Sequence, residues 1–417
     1  MTALTVPLGI APSRSALPIT VTPQPSAAAT GGLAPAAPES SFDGTISAAN
    51  ASDKNAIARL TAAPFWAAAD VPTRQLVWAL ARASVAANPA ESKAQQSRAL
   101  LLLAALAESG KLADKASDGR TLLQILVSTR VCPAVGAVAP MSPAMMSNIV
   151  MEELAHPAIV TQGKAHDCGI TALQLGLMRT NPAEYARLVV GIFAEGAVRL
   201  RNGQTLHFDA NSSKPYDGDT RTATSRALQS ALMQFSKPTL DYIGGAEPAS
   251  FVGVRTISKL PLWGQLLLWI GLAPVALLLW LSRENADGVI DTELVSTASA
   301  LFGEAYKQYG SDQGAARSAW LAQFLARKQP VVAGVYWPEA KKGHQLQVIG
   351  VAGLRVMLRD PAAPYGNSED GTKNGMMLKH EPGVTLIDAA QGVVSVMLGD
   401  PRIDLTFFAP APAPLHG

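Results

Sequence analysis

Cysteine is scarce in this chain: there are two, Cys132 and Cys168, among 417 residues. Two cannot make a disulfide framework, and neither stands in a CxxC or similar metal-ligand spacing, so one is free for chemistry. Histidine is almost as rare. The six (His156, His166, His207, His344, His380 and His416) include no HExxH and no helical pairing with carboxylates, so no metal site and no cofactor is expected. Charged residues make up only 16%, with 34 Lys and Arg against 32 Asp and Glu interspersed for a net +2. Such a balance lacks the basic footprint of a nucleic-acid partner. No GxxxxGK[ST] phosphate loop occurs anywhere. The first residues lack a basic stretch followed by an apolar core, so the expectation is a cytoplasmic protein or one secreted by a signal-peptide-independent route.

What is present is apolar: 48% hydrophobic residues suffice for a large core and two or three domains. Residues 1–45 are Ala, Pro, Ser, Thr and Gly with hardly any charge, which reads as a disordered leader. Residues 46–150 read as a small helical domain, with Ser52 as an N-cap, Pro72 in a first helical turn and an Ala-rich apolar run at 100–106. Cys132, between Val131 and Pro133, fits a buried small hydrophobe. From 151 to 408 the signals mix helix and strand. Asn181-Pro182 opens a helix closed by Gly196, and Asn202-Gly203 turns a hairpin of 198–200 and 205–208. Helices follow at about 292–309 and 312–328, then strands at 331–336, 344–351, 354–358, 383–387 and 393–398. The tail 409–417 reads as loose.

The segment Gln162-Gly-Lys-Ala-His-Asp-Cys168-Gly starts a helix whose apolar face is Ile170, Leu173, Leu177 and Met178. A thiol at a helix start meets unsatisfied N–H groups and the positive dipole end, which favour the reactive thiolate. Gln162, on an irregular approach, is a candidate oxyanion donor together with a backbone N–H. Further on, His344 opens a strand that reverses at Ala352-Gly353 and returns to Asp360-Pro361. The base His344 and its orienting carboxylate Asp360 therefore fall at one end of one hairpin. Three other candidates read as structural. His166 suits a solvated loop, His207 lies on the 205–208 strand, and Asp400 ends a repeat of the Val-Met-Leu-x-Asp-Pro phrase of 356–361.

Gln-x5-Cys, then His, then Asp sixteen residues on, resembles the papain-like cysteine peptidases. Gln-x4-Asp-Cys-Gly before an apolar helix, and His-x3-Val leading to Asp-Pro, look most like the bacteriocin-processing, double-glycine peptidase family. The likeness covers about 155–180 and 340–362. It implies an α+β, papain-like fold, a helix bearing the Cys packed on an antiparallel sheet bearing His and Asp, behind the small helical domain. It also implies peptide hydrolysis through a thioester, with Cys168, His344, Asp360 and Gln162 in the family roles. This chain departs from the family in having His166-Asp167 before the nucleophile, a longer Cys-to-His interval and no transporter ATPase.

Residues 260–282 carry no charge and have the length of a membrane span, within an insert at 257–284. A single crossing would separate Cys168 from His344 across the bilayer. The expectation is a helical hairpin broken at Gly271 and Pro274, buried or contacting a membrane or partner protein, rather than a single-span anchor. The function expected is a cysteine peptidase acting on protein or peptide substrates as a bacterial effector or toxin. Deamidation, transglutamination or peptidoglycan amide cleavage by the same triad is the alternative, and a non-enzymatic membrane-active or scaffold protein the second.

Overall fold

The computed structural model describes residues 51–83, 89–163, 167–210, 213–215, 220–237, 240–243, 250–254, 289, 291–310, 314–339, 342–362 and 381–411. The leader at 1–45, the insert at 257–284, His166 and residues 412–417 lie outside these. Among the described residues no helix is long and apolar enough to cross a membrane.

The chain is mixed helix and antiparallel sheet. Among the described residues the α-helices that come first are α1 (Ala51–Ala62), α2 (Pro64–Ala68), α3 (Val71–Arg82), α4 (Pro89–Glu108), α5 (Leu122–Val127), α6 (Pro133–Gly136) and α7 (Pro143–Ala155). Their starts follow capping chemistry. Asp70 accepts from the Thr73 N–H with Pro72 just inside α3, Thr121 and Gln124 form a capping box on α5, and Ser142 caps α7. Ser52 sits inside α1 rather than capping it.

Helix α7 runs through residue 150, where the sequence suggests a change of domain. One cluster of buried side chains passes from Leu60, Leu103 and Leu126 through Val150 to Leu173, Phe193 and Leu301. The early helices therefore share a core with the helix bearing Cys168.

After α7 come α8 (Cys168–Thr180), α9 (Pro182–Glu195), the hairpin β1 (Ala197–Arg199) and β2 (Thr205–His207), and α10 (Ala223–Ser236). Asn181 caps α9 by accepting from the Glu184 N–H, and Gly196 closes it in the left-handed region, φ 70°. Helix α10 has no counterpart in the sequence reading. Its inward face carries Thr224, Ser225, Gln229 and Ser230, all buried, so polar groups interrupt the apolar rhythm that would announce it.

Strands β3 (Leu240–Ile243) and β4 (Ser250–Val254) pair with each other, and α11 (Asp291–Phe302) leads to β5 (Tyr306–Gly310). The helix expected to run to 309 stops at Phe302. Gly303 turns left-handed with φ 73°, and the Arg201 side chain occupies the space a Cβ would need, at 2.8 Å. Helix α12 (Gly314–Ala326) precedes β6 (Val332–Trp337), β7 (Lys342–Ala352), β8 (Arg355–Arg359), β9 (Val384–Asp388), β10 (Val393–Met397) and β11 (Asp404–Pro410).

Seven strands form one antiparallel sheet in the order β5-β11-β6-β7-β8-β10-β9. Strand β11 lies between β5 and β6, so the chain end expected to be loose from 409 is in fact ordered through Pro410. Phe408, Ala409 and Pro410 pair with Gln308, Lys307 and Tyr306. A second buried cluster joins Leu321 and Phe324 of α12 to Ala333, Val335, Leu346, Val348, Leu358 and Phe407 of the sheet. Helix α8 also packs on β7, so β7 has helices α8 and α12 as neighbours.

Phe407 is fully buried in this second cluster. Phe407→Ala is expected to lower unfolding free energy by about 3–5 kcal/mol, measured by urea denaturation. A loss below about 1 kcal/mol would contradict a central β11.

Candidate active site

Strand register assembles the site. Strand β7 runs to Ala352, turns at Gly353 with φ 58°, and β8 returns antiparallel to Arg359. The ladder pairs Gln347 with Arg359, and a register shift between Val348 and Gly350 marks one extra residue on β7. His344 and Asp360 consequently meet at one end of the hairpin, where His344 Nε2 lies 2.7 Å from Asp360 Oδ1. The same Oδ1 accepts the Ala362 N–H at 2.8 Å, and the Asp360 N–H donates to the Gly392 carbonyl at 2.9 Å. Both side chains are buried, at 4% and 0% exposure, so the pair interacts with little solvent screening.

With Nε2 committed to Asp360, the other ring nitrogen, Nδ1, is left for Cys168. Burial opposes charge on the His344 ring. Charge and hydrogen bonding from Asp360, with smaller contributions of both kinds from Cys168, outweigh it and push the ring up to about 10 from its ordinary 6.5. The charged form of the ring is thereby favoured beside the half-buried Cys168.

Cys168 is the first residue of α8, preceded by Asp167 in the N-cap position. The Asp167 side chain makes no cap hydrogen bond to the helix start. Its carboxylate turns inward instead, accepting from Thr171 Oγ1 and from Arg221 Nη1, each at 3.3 Å. Asp167 and Arg221 are both buried. Arg221 also reaches Gln229 Oε1 at 3.5 Å. Gln229 Nε2 donates to the Thr161 carbonyl at 3.0 Å and to Gln174 Oε1 at 2.9 Å. From Gln174 the network continues to Ser225 and Tyr185, and these, with Thr222 and Thr224, donate to the buried Glu153 carboxyl. Burial raises Glu153 above the usual carboxyl range against the pull of those four hydroxyl donors. The result is a polar layer that holds Thr161 and Asp167, on the N-terminal side of Cys168.

Gln162 is buried, and its backbone N–H donates to the Pro361 carbonyl at 2.8 Å, tying it to the Asp360 end of β8. Its Oε1 has no hydrogen-bond partner among the described residues. The structure thus brings Cys168, His344 and Asp360 together and sets Gln162 beside Pro361. The remaining candidates lie apart. His207 is exposed on β2. Half-buried Cys132 precedes α6 and donates its N–H to Phe193. Asp400 sits at the opposite end of the β8–β10 ladder from Asp360, because the two Val-Met-Leu phrases pair antiparallel, Val396 against Val356. Hydrogen bonds from Arg402 hold Asp400 down to about 2. Among the described residues no group of His, Cys, Asp and Glu could hold a metal ion.

A cavity of about 330 Å³ opens on the dyad, lined by Cys168, His344, Gln345 and Asp291 among others. Gly169 lets β7 approach α8: a Cβ there would lie 1.8 Å from Gln345 Oε1. The sequence reading missed Gln345, Arg221 and Asp291. No spacing marks the last two, whereas Gln345 stands next to His344 at the start of a strand. No family model, curated protein or solved structure matches the chain.

Three outcomes are expected. By NMR, the His344 ring titrates near pH 10 and stays charged from pH 6 to 8, and Asp360→Asn moves that midpoint downward. Because the folded-state value is raised, the pair's contribution to stability is complete below pH 6.5 and is lost as pH rises through about 10. Gly169→Ala is expected to displace the Gln345 side chain, so its stability cost shrinks in a Gln345→Ala background, a non-additivity of about 0.5–3 kcal/mol in a double-mutant cycle. Additive costs would mean that Gly169 and Gln345 do not constrain one another.

Proposed function

We propose that this chain is a cysteine peptidase with a papain-like arrangement, the Cys168 helix packed on the antiparallel sheet bearing His344 and Asp360. The single observation that carries the reading is the buried 2.7 Å bond between His344 and Asp360, next to a cysteine on the first turn of a helix. Each part answers a chemical need. The imidazolium stabilises a thiolate on Cys168 by charge, and Asp360 fixes the ring and supports its positive form.

In this reading the Cys168 sulfur attacks the carbonyl carbon of a peptide bond. The resulting oxyanion is met by N–H groups at the start of α8, with Gln162 as the candidate side-chain donor. His344 gives its proton to the leaving amine, the C–N bond breaks, and a thioester remains on Cys168. Neutral His344 then takes a proton from water as the water oxygen attacks the thioester. The sulfur leaves, the carboxylic acid departs, and the ion pair is restored. The substrate class is a protein or peptide chain.

The test is a comparison of new peptide N-termini generated in a proteome by the wild-type chain and by Cys168→Ala. Termini that require Cys168 are expected. Asp360→Asn is expected to lower kcat by about 10²–10⁴, and Gln162→Ala by about 10²–10³ if its amide meets the oxyanion. Iodoacetamide should alkylate Cys168 more slowly in His344→Ala than in the wild type. Release of ammonia without new termini would move the assignment to a deamidase. Equal alkylation with no Cys168-dependent product would end the hydrolase reading.

A further inference from the structure

The cavity at Cys168 has a composition beyond what bond cleavage requires. Three of its walls come from different elements: Asp291 from the start of α11, Tyr336 from β6, and Thr406 from β11. Its lining also includes Gly334 and Gly343, which contribute no side chain. Tyr336 pairs with Gly343 across the β6–β7 ladder, and a Cβ at Gly343 would lie 3.5 Å from the Tyr336 ring. Glycine there keeps one edge of the ring uncovered, and Tyr336 is 42% exposed, the outlier among the aromatic side chains of the sheet.

Asp291 is half-buried, and its Oδ2 accepts from Gln308 Nε2 of β5 at 2.9 Å, which steadies the carboxylate without neutralising it. Burial raises the Asp291 carboxyl above its ordinary range, against the hydrogen bond from Gln308. The one cation among the described residues that line the cavity is the His344 ring, which Asp360 already pairs, and no Lys or Arg is among them. The volume of about 330 Å³ falls in the range of sites that hold small ligands. A carboxylate and an accessible tyrosine ring in one recess are the two groups that attract an organic cation, by charge and by the ring quadrupole.

We propose that this cavity is a specificity pocket for a lysine or arginine side chain of the substrate, with Asp291 as counter-charge and Tyr336 stacked alongside. The proposal rests on Cys168 being the nucleophile, since the pocket acts by aligning a bond with that sulfur. Substrates with a basic residue at one fixed position near the cut bond are aligned; neutral ones lose the ion pair, and acidic ones meet a like charge.

The test uses the full chain and a proteome-derived peptide mixture prepared by cleavage after glutamate, so that internal Lys and Arg survive. Cut sites are read by mass spectrometry, and those absent with Cys168→Ala are discarded. Expected is enrichment of Lys or Arg by about tenfold at one position within three residues of the cut, weakening with added salt. Asp291→Asn is expected to bring that enrichment close to one, Asp291→Lys to replace it with Asp, and Tyr336→Leu to reduce it in part. Cys168-dependent cuts in the wild type without basic enrichment overturn the pocket and leave the peptidase reading standing. Enrichment unchanged by Asp291→Asn does the same. Absence of any Cys168-dependent cut overturns both.

Discussion

The interaction on which the rest depends is the buried contact between His344 and Asp360, and that contact is a consequence of strand register. Two antiparallel strands joined by a tight turn return the chain to its starting end, and one extra residue on β7 sets where the two side chains meet. A carboxylate with no exposure is costly unless it is bonded. Asp360 Oδ1 takes both the imidazole and the Ala362 N–H, and the backbone on either side is tied to Gly392 and Gln162. The electrostatic state of the imidazole follows from this geometry, because a neighbouring anion in a screened-out setting outweighs the penalty of burying the ring.

Around that contact the protein uses two kinds of packing. The sheet and α12 bury aliphatic and aromatic groups in a dry layer that includes Phe407 and Val335. On the other side of α8, polar side chains of α7, α8, α9 and α10 form a connected layer from Glu153 to Asp167. Apolar packing is insensitive to direction, whereas a chain of hydrogen bonds between fully buried groups specifies orientation. Such a layer suits a place where a helix start must hold one geometry.

Much of the site was legible in sequence, for stated reasons. Cys168 before an apolar face of period 3.6 marks a helix start, and α8 begins at that residue. The alternating stretches from 344 to 358 with a glycine turn between them mark a hairpin, and β7 and β8 follow within one or two residues. Elsewhere the local signal misled. Residues 306–310 look helical when read with 292–302, but Gly303 and pairing with β11 make them an edge strand. Residues 404–410 carry a short apolar run next to an Ala-Pro tail, and only their place between β5 and β6 gives them a core role.

What the sequence determined alone was local: where a nucleophile could sit on a helix end, which two residues one hairpin would bring together, and that the chain mixes helix with sheet. Periodicity and turn chemistry act over a few residues, so they survive without knowledge of the rest of the chain. The tertiary structure alone decided that Arg221 would meet Asp167, that Gln345 would press on Gly169, and that Asp291 and Tyr336 would face the same cavity as Cys168. These neighbours are distant in sequence. Their proximity is set by how helices and strands bury their faces against one another, a constraint of the whole fold that leaves no spacing to read.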